Sequence, residues 1–257
     1  MSSTFKQFRD LHRSDDLFIL PNTWNVKSAL VFQEKKFPAI ATSSSAVANS
    51  LGYEDGEKMP FDEYLFIIKR ILSAVNIPLS VDIETGYGAD DEKVYSNIQS
   101  LADLGVAGIN IEDSQITSAG RSLKDAKSFA KMIGIAKNKL ISTNSELFIN
   151  IRCDTFILNV DNKIEETNKR LKLYETTGAD GIFLPCITAE NDIAEAVSNT
   201  RLPLNVMCFP GLPGFDVLNK LGVKRLSMGP FLFNKLYQYA GDLAEAVIVN
   251  KSFSPIL

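Results

Sequence analysis

The sequence predicts an α/β protein closed as one (β/α)8 TIM-type barrel over residues 1–257, and three observations carry that expectation. Short apolar runs with strand character recur eight times along the chain. Between them lie longer segments whose apolar residues fall at three- and four-residue spacing, the period of an amphipathic helix. Eight such units in 257 residues match the size of one closed barrel, whereas an open doubly wound sheet more often stops at about five to seven strands.

The strand-like runs occupy residues 17–20, 38–42, 79–83, 106–111, 147–151, 181–184, 204–207 and 223–228. Helical spacing covers 61–74, 92–104, 163–176 and 189–197. Pro38, Gly105, Gly178 and Gly222 stand where a helix must stop before a strand begins. No linker, repeat block or low-complexity stretch divides the chain, so a single domain is expected. The segment 231–250 is long and apolar, and reads either as an ordinary closing helix or as a helix that packs on a second copy of the chain.

Composition narrows the function. Hydrophobic residues make up 45% and charged residues 23%, the balance of an ordinary globular protein. A net charge of −4 gives no electrostatic footprint for nucleic acid or anionic lipid, and no apolar run approaches the roughly 20 residues of a membrane span. The charged amino terminus lacks a signal-peptide core, so a cytoplasmic protein is expected. Cys153, Cys186 and Cys208 form no CxxC pair and suggest neither a disulfide framework nor a zinc site. The one histidine, His12, falls in a segment that reads as a surface helix, which argues against Ser-His-Asp catalysis and His-ligated zinc.

Catalytic groups of such barrels come from the carboxyl ends of the strands. The second strand runs into Thr42, Ser43, Ser44 and Ser45, the third into Asp82, Glu84 and Tyr87, the fourth into Glu112 and Asp113, and the fifth into Arg152 and Asp154. Asn205 belongs to the seventh and is expected at the substrate. Asp82 and Glu84 lie two apart, which on an extended strand puts both on one face, with Glu112 at the end of the neighbouring strand. Three converging carboxylates repel one another unless a cation compensates them, and ligation by oxygen alone favours Mg2+ or Mn2+. Separate salt bridges at the rim are the alternative.

Arg152 can clamp a carboxylate or phosphonate, pair with Glu112 or Asp154, or do both. Ser43, Ser44 and Ser45 offer an anion cradle or simply cap a helix. The cysteines read as small buried apolar residues. Lys224 stands at the amino end of the eighth strand, and no lysine occurs in the other strand runs, which argues against Schiff-base chemistry. Gly86, Tyr87 and Gly88 lack the spacing of a dinucleotide fingerprint and read as a hinge.

Seven short motifs, in order along most of the chain, resemble the isocitrate lyase and phosphoenolpyruvate mutase superfamily. They are LPNTWN at 20–25, PAIATS at 38–43, SLGYEDG at 50–56, VDIETGYG at 81–88, NIEDS at 110–114, NIRCD at 150–154 and GADGIFLP at 178–185. The resemblance implies a Mg2+-dependent enzyme acting on a 2-oxo acid or its enolate. The positions matching the family's metal ligands are Asp82, Glu84 and Glu112. Those matching its substrate cradle are Ser43, Ser44 and Ser45, with Asp55 near the reacting group and Arg152 on the substrate. It further implies a homodimer or homotetramer whose subunits exchange the last helix.

Departures from the family pattern narrow the substrate. The lyase lid motif with its cysteine and histidine is absent from 113–121, the Glu-Asp-Lys run of the phosphonomutases is broken by Ser114, and Cys186 stands where methylisocitrate lyases carry glutamate. The first expectation is therefore a lyase of the oxaloacetate decarboxylase kind, cleaving a C–C bond of a small 2-oxo acid through a metal-stabilised enolate. Tyr87 or a water supplies the proton. A phosphonomutase or C–P/C–C hydrolase of the same superfamily comes second, and a non-catalytic 2-oxo acid binding protein third.

Overall fold

The computed structural model describes residues 3–118 and 120–257. In chain order it runs α1 (Ser3–Arg13), β1 (Phe18–Leu20), β2 (Asn22–Thr23), α2 (Val26–Glu34), β3 (Ile40–Thr42), α3 (Ser44–Ser50), α4 (Phe61–Leu72), β4 (Leu79–Asp82), α5 (Asp91–Asp103) and β5 (Gly108–Glu112). An antiparallel hairpin, β6 (Ser114–Thr117) and β7 (Gly120–Leu123), interrupts the alternation. There follow α6 (Ala126–Ser142), β8 (Phe148–Arg152), α7 (Lys163–Tyr174), β9 (Gly181–Leu184), α8 (Glu190–Ser198), β10 (Leu204–Met207), α9 (Phe215–Lys220), β11 (Arg225–Ser227) and α10 (Phe231–Asn250).

Nine parallel segments form one sheet in the order β1-β11-β10-β9-β8-β5-β4-β3-β2. Only Pro21 separates β1 from β2. It has no amide proton to donate, while its carbonyl accepts from the Ala41 amide at 2.9 Å. The two segments therefore act as one strand whose halves pair to opposite sides, β1 with β11 and β2 with β3, and this closes an eight-stranded ring. The expected barrel is present. The hairpin was not legible, because two four-residue strands of largely polar sequence carry no alternating pattern.

Strand periodicity divides the core into two shells. Ile40, Leu79, Val81, Ile109, Ile111, Ile149, Ile151, Ile182, Leu184 and Val206 pack outward beneath the helices, all nearly inaccessible. The inward positions are unusually polar, with Ser80, Asn110, Asn150, Asn205 and Arg225 at mid-depth. Helix α1 closes the amino end, where Phe5 and Phe8 join Phe18, Leu20, Ala39, Ala41, Ala107 and Phe148 in a separate apolar cluster. His12 lies within this plug and not on a surface helix. It is 4% exposed, stacks on Phe148 at 4.1 Å, and meets Phe8 and Phe18 edge-on. The position follows from helical spacing, since residues 5, 8 and 12 share the face turned to the barrel.

Helix α10 is long, but of its residues only Phe233 is buried. Leu232, Leu236, Tyr237, Tyr239, Ile248 and Val249 are exposed. Among the described residues no helix is long and apolar enough to cross a membrane, and all three cysteines are free, with Cys153 buried, Cys186 half-buried and Cys208 exposed.

Candidate active site

A cavity of about 180 Å³ opens at the carboxyl ends of the strands, where barrel chemistry is placed. Asn22, Ser43, Ser44, Ser45, Asp55, Asp82, Asn110 and Arg152 line it together with Phe183, Met207 and Ser227. Of the residues expected at the site, Ser43, Ser44, Ser45, Asp55, Asp82 and Arg152 are brought to this cavity, whereas Glu84, Glu112, Tyr87 and Asn205 are not among its lining.

The serines serve as caps and as cavity wall at once. Ser43 is extended and its Oγ accepts from the Ala46 amide at 3.3 Å, capping α3. Ser44 Oγ donates to Asp82 Oδ2 at 3.0 Å, which aims that carboxylate. Burial raises the pKa of Asp82 against the lowering pull of Arg152 and Ser44, and Asp55 raises it further. Asp55 is exposed and stands at the mouth.

The three carboxylates expected to surround a cation do not converge: among the described residues no group of three or more His, Cys, Asp or Glu side chains is placed to hold a metal ion. The reason lies in the backbone. The two-residue period applies only while the chain stays extended, and β4 ends at Asp82, after which Glu84 takes a left-handed φ of 50°. Its carboxylate turns aside, accepting from the Tyr87 hydroxyl at 3.0 Å and the Glu57 amide at 2.9 Å. Burial pushes its pKa up to about 8, with Asp55 and Asp82 adding to the shift.

Glu112 is fully buried behind Arg152. Its Oε1 accepts from Ser114 at 3.2 Å and pairs with Arg121, while Oε2 lies 2.9 Å from Arg152 Nη1 without hydrogen-bond geometry. Burial pushes it up to about 7 despite both arginines. Arg152 also donates from Nε to Asp154 Oδ1 at 2.6 Å. Burial alone would lower the arginine's pKa, but Glu112, Asp154 and Asp82 raise it and hold the guanidinium charged. Clamping and pairing are thus compatible, as the sequence allowed.

Tyr87 donates to Glu84 and packs on Phe61 and Tyr64, outside the cavity, with its pKa raised by burial and then by Glu84. The Gly86 to Gly88 turn, expected as a hinge, is tied to α5. Asn97 Nδ2 donates to the carbonyls of Gly86 and Tyr87 at 3.0 and 2.8 Å, and at Gly86, where φ is +115°, a Cβ would meet Val94 at 2.7 Å. Asn205 lies deeper than expected, donating to the carbonyls of Val206 and Arg225 at 2.6 and 3.1 Å.

Two residues of the site were not foreseen. Arg121 returns on β7 to pair with Glu112, to approach Asp154 at 3.6 Å and to donate to Ser114 Oγ at 2.9 Å. Asn110 lies two positions before Glu112 on β5, which places it inward and was the available signal. Its Oδ1 accepts from Asn150 Nδ2 at 2.9 Å and Arg225 Nη2 at 3.1 Å, which leaves Nδ2 as the group free to face the cavity.

Comparison with known proteins agrees with this architecture. The family model described as phosphoenolpyruvate phosphomutase matches residues 8–248. A protein of Mycobacterium tuberculosis strain H37Rv, described as uncharacterized, is 35% identical over 240 residues, covering 93% of this chain and 88% of its own. Oxaloacetate decarboxylase 1 of Pseudomonas fluorescens strain Pf0-1 is 27% identical over 224 residues, covering 85% and 76%. A crystal structure from Burkholderia cenocepacia J2315, provisionally described as a phosphonomutase, superposes with a TM-score of 0.88 at 32% identity, covering 94% of this chain and 99% of that one. The chain belongs to the phosphoenolpyruvate phosphomutase family, within the isocitrate lyase and phosphoenolpyruvate mutase superfamily.

Proposed function

We propose that the protein is a Mg2+-dependent lyase that decarboxylates a small 2-oxo acid of the oxaloacetate type. The observation that carries the reading is the size and polarity of the cavity. At about 180 Å³ it is smaller than the roughly 300–1,000 Å³ of drug-sized ligand sites, and it presents Arg152 beside Asp82 and Asp55. A dicarboxylate of four carbons suits that space better than a tricarboxylate.

The cavity wall leaves room for a cation. Arg152 is engaged by Glu112 and Asp154, and among the described residues neither Asp82 nor Asp55 on the cavity wall has a salt-bridge partner. An all-oxygen wall of this kind fits Mg2+, with Asp82 the carboxylate that would hold it. Bound there, the ion supplies Lewis-acid stabilisation of the negative charge left on the 2-oxo group as CO2 departs.

The protein's own groups do the rest. Arg152, fixed by its two carboxylates, orients the carboxylate that the substrate keeps. Asn110 Nδ2 donates to a substrate oxygen, its amide locked by the two donors on Oδ1. Asp55, at the mouth and open to water, accepts a hydrogen bond from the water that gives its proton to the carbon that lost CO2. Ser44 keeps Asp82 aimed inward.

The test incubates oxaloacetate, other 2-oxo acids and phosphonopyruvate with Mg2+ and identifies products, comparing wild type with Asp82→Asn. Pyruvate and CO2 formed by wild type alone is the expected result; turnover that survives Asp82→Asn defeats the assignment. Rearrangement of the phosphonate would establish the phosphonomutase reading, which the Burkholderia structure favours. Helix α10 packs on a second copy of the chain and makes a homodimer or homotetramer, on the strength of its exposed Leu232, Leu236 and Tyr239. A monomer mass in light scattering would remove that claim.

A further inference from the structure

A larger cavity, about 600 Å³, opens at the opposite, amino end of the barrel between α1 and the loops before β9, β10 and β11. Its lining carries more cations than acids on a chain whose net charge is −4, with Arg13, Arg201 and Lys224 around the opening beside Asp15 and Asp180. Of the acids beside them, Asp180 is engaged by Lys137 and by the Ile149 amide at 2.9 Å. Lys224 Nζ donates to the backbone carbonyl of Asp15 at 2.8 Å and so keeps its charge uncancelled by that bond. The Arg201 side chain is 92% exposed and only loosely paired, its Nη2 3.8 Å from Glu175 Oε2, while its backbone amide donates to Glu175 Oε1.

The inner wall adds a second, independent feature. His12 Nδ1 lies 2.8 Å from the Phe8 carbonyl, a partner that can only accept, so Nδ1 carries the proton. The ring is neutral, because burial and then the nearby Arg225 lower its pKa to about 3. Nε2 is therefore a bare acceptor. It is buried, has no partner among the described residues, and belongs to a residue that lines the cavity. A buried acceptor left unmet is costly, and a ligand hydroxyl would meet it.

We infer that this cavity binds a small hydroxylated phosphate ester, with the phosphate among Arg13, Arg201 and Lys224 and a hydroxyl on His12 Nε2. The volume falls within the range of small-molecule sites and exceeds what a bare phosphate needs, which is the argument for an organic body. Guanidinium groups suit phosphate through paired N–H donors. The site lies on the amino-end face, where barrels carry stability and not catalysis, so the ester binds without being turned over.

The experiment is calorimetric titration of the intact protein with ribose 5-phosphate and with glycerol 3-phosphate at about 0.15 M salt, where weak surface attraction is screened. Saturable binding of one ester per chain is expected. The double variant Arg13→Ala/Arg201→Ala should weaken it about tenfold or more. Both side chains are exposed, so an unchanged melting temperature will verify that the variant is folded. Inorganic phosphate, which brings no hydroxyl-bearing body to His12, should bind wild type about tenfold more weakly than either ester. Absence of saturable binding by both esters overturns the inference, as does an affinity unchanged in the double variant or equal to that of inorganic phosphate.

Discussion

Two arginines project into the barrel, one near its carboxyl end and one at mid-depth, and they are held in opposite ways. Arg152, near the carboxyl end, lies between Glu112 at 2.9 Å and Asp154 at 2.6 Å, and their charge keeps it protonated. Arg225, closer to the amino end, is fully buried and has no carboxylate partner among the described residues. Its Nη2 donates to Asn110, its guanidinium lies 5.9 Å from the Phe8 ring centre, and its Nε and Nη1 are unmet. Burial lowers its pKa to about 9, and distant Asp82 opposes the shift only partly. The difference separates a charge built into a network from a charge tolerated by amides and aromatic rings, and only the first itself lines the cavity where substrate is expected.

The sharpest test of that contrast is Arg152→Met. Removing the cation leaves Glu112 and Asp154 buried together without it, and breaking a buried pair from one side costs about 3–5 kcal/mol. Urea denaturation should report a loss of that size. Activity on the true substrate should fall at least about a hundredfold, because an oriented charged donor is gone. A variant as stable as wild type would mean that Arg121, already paired with Glu112, carries the network alone.

A smaller effect is expected at the amino end and is read through pH. His12 has a folded pKa of about 3 against an ordinary 6.5, so the unfolded chain takes up the proton first. The stability it contributes is complete above pH 6.5 and is lost as pH falls toward 3. Between pH 6.5 and 5 the loss is about 2 kcal/mol, from roughly 1.4 kcal/mol per pH unit. The stability difference between wild type and His12→Phe should therefore shift by that amount over this window. A difference that stays constant with pH would show that His12 titrates normally and is not buried on the barrel-facing side of α1.

What the sequence made legible follows the same division. Strand runs such as 147–151 were plain because Leu147, Phe148, Ile149 and Ile151, broken only by Asn150, make a short apolar run of strand length, and helix limits such as 61–74 against Phe61–Leu72 differ only by fraying. Asp82, Arg152 and the three serines were legible at the cavity because each stands at a strand end. Glu84 was not, since its reversal depends on a left-handed turn pinned by Asn97 and Glu57, which no local pattern announces. Arg121 was invisible because its role needs a hairpin fold-back. His12 was misjudged because charged neighbours in α1 mask the one apolar face that residues 5, 8 and 12 make.

The smallest expected effect completes the comparison. Arg225→Met removes a buried cation that no carboxylate compensates, and methionine fills a similar volume without a charge to desolvate. Against that gain stand one of the two donors to Asn110 and the attraction to the Phe8 ring, each worth about 1 kcal/mol. The terms nearly cancel, so urea denaturation should place the variant within about 1 kcal/mol of wild type, or above it. Turnover should fall more than stability does, because Asn110 loses half of what fixes its amide toward the cavity while Asn150 still holds the other half. A stability loss as large as that of Arg152→Met would erase the contrast, since it would require the Arg225 charge to be compensated by a bound anion and not merely endured.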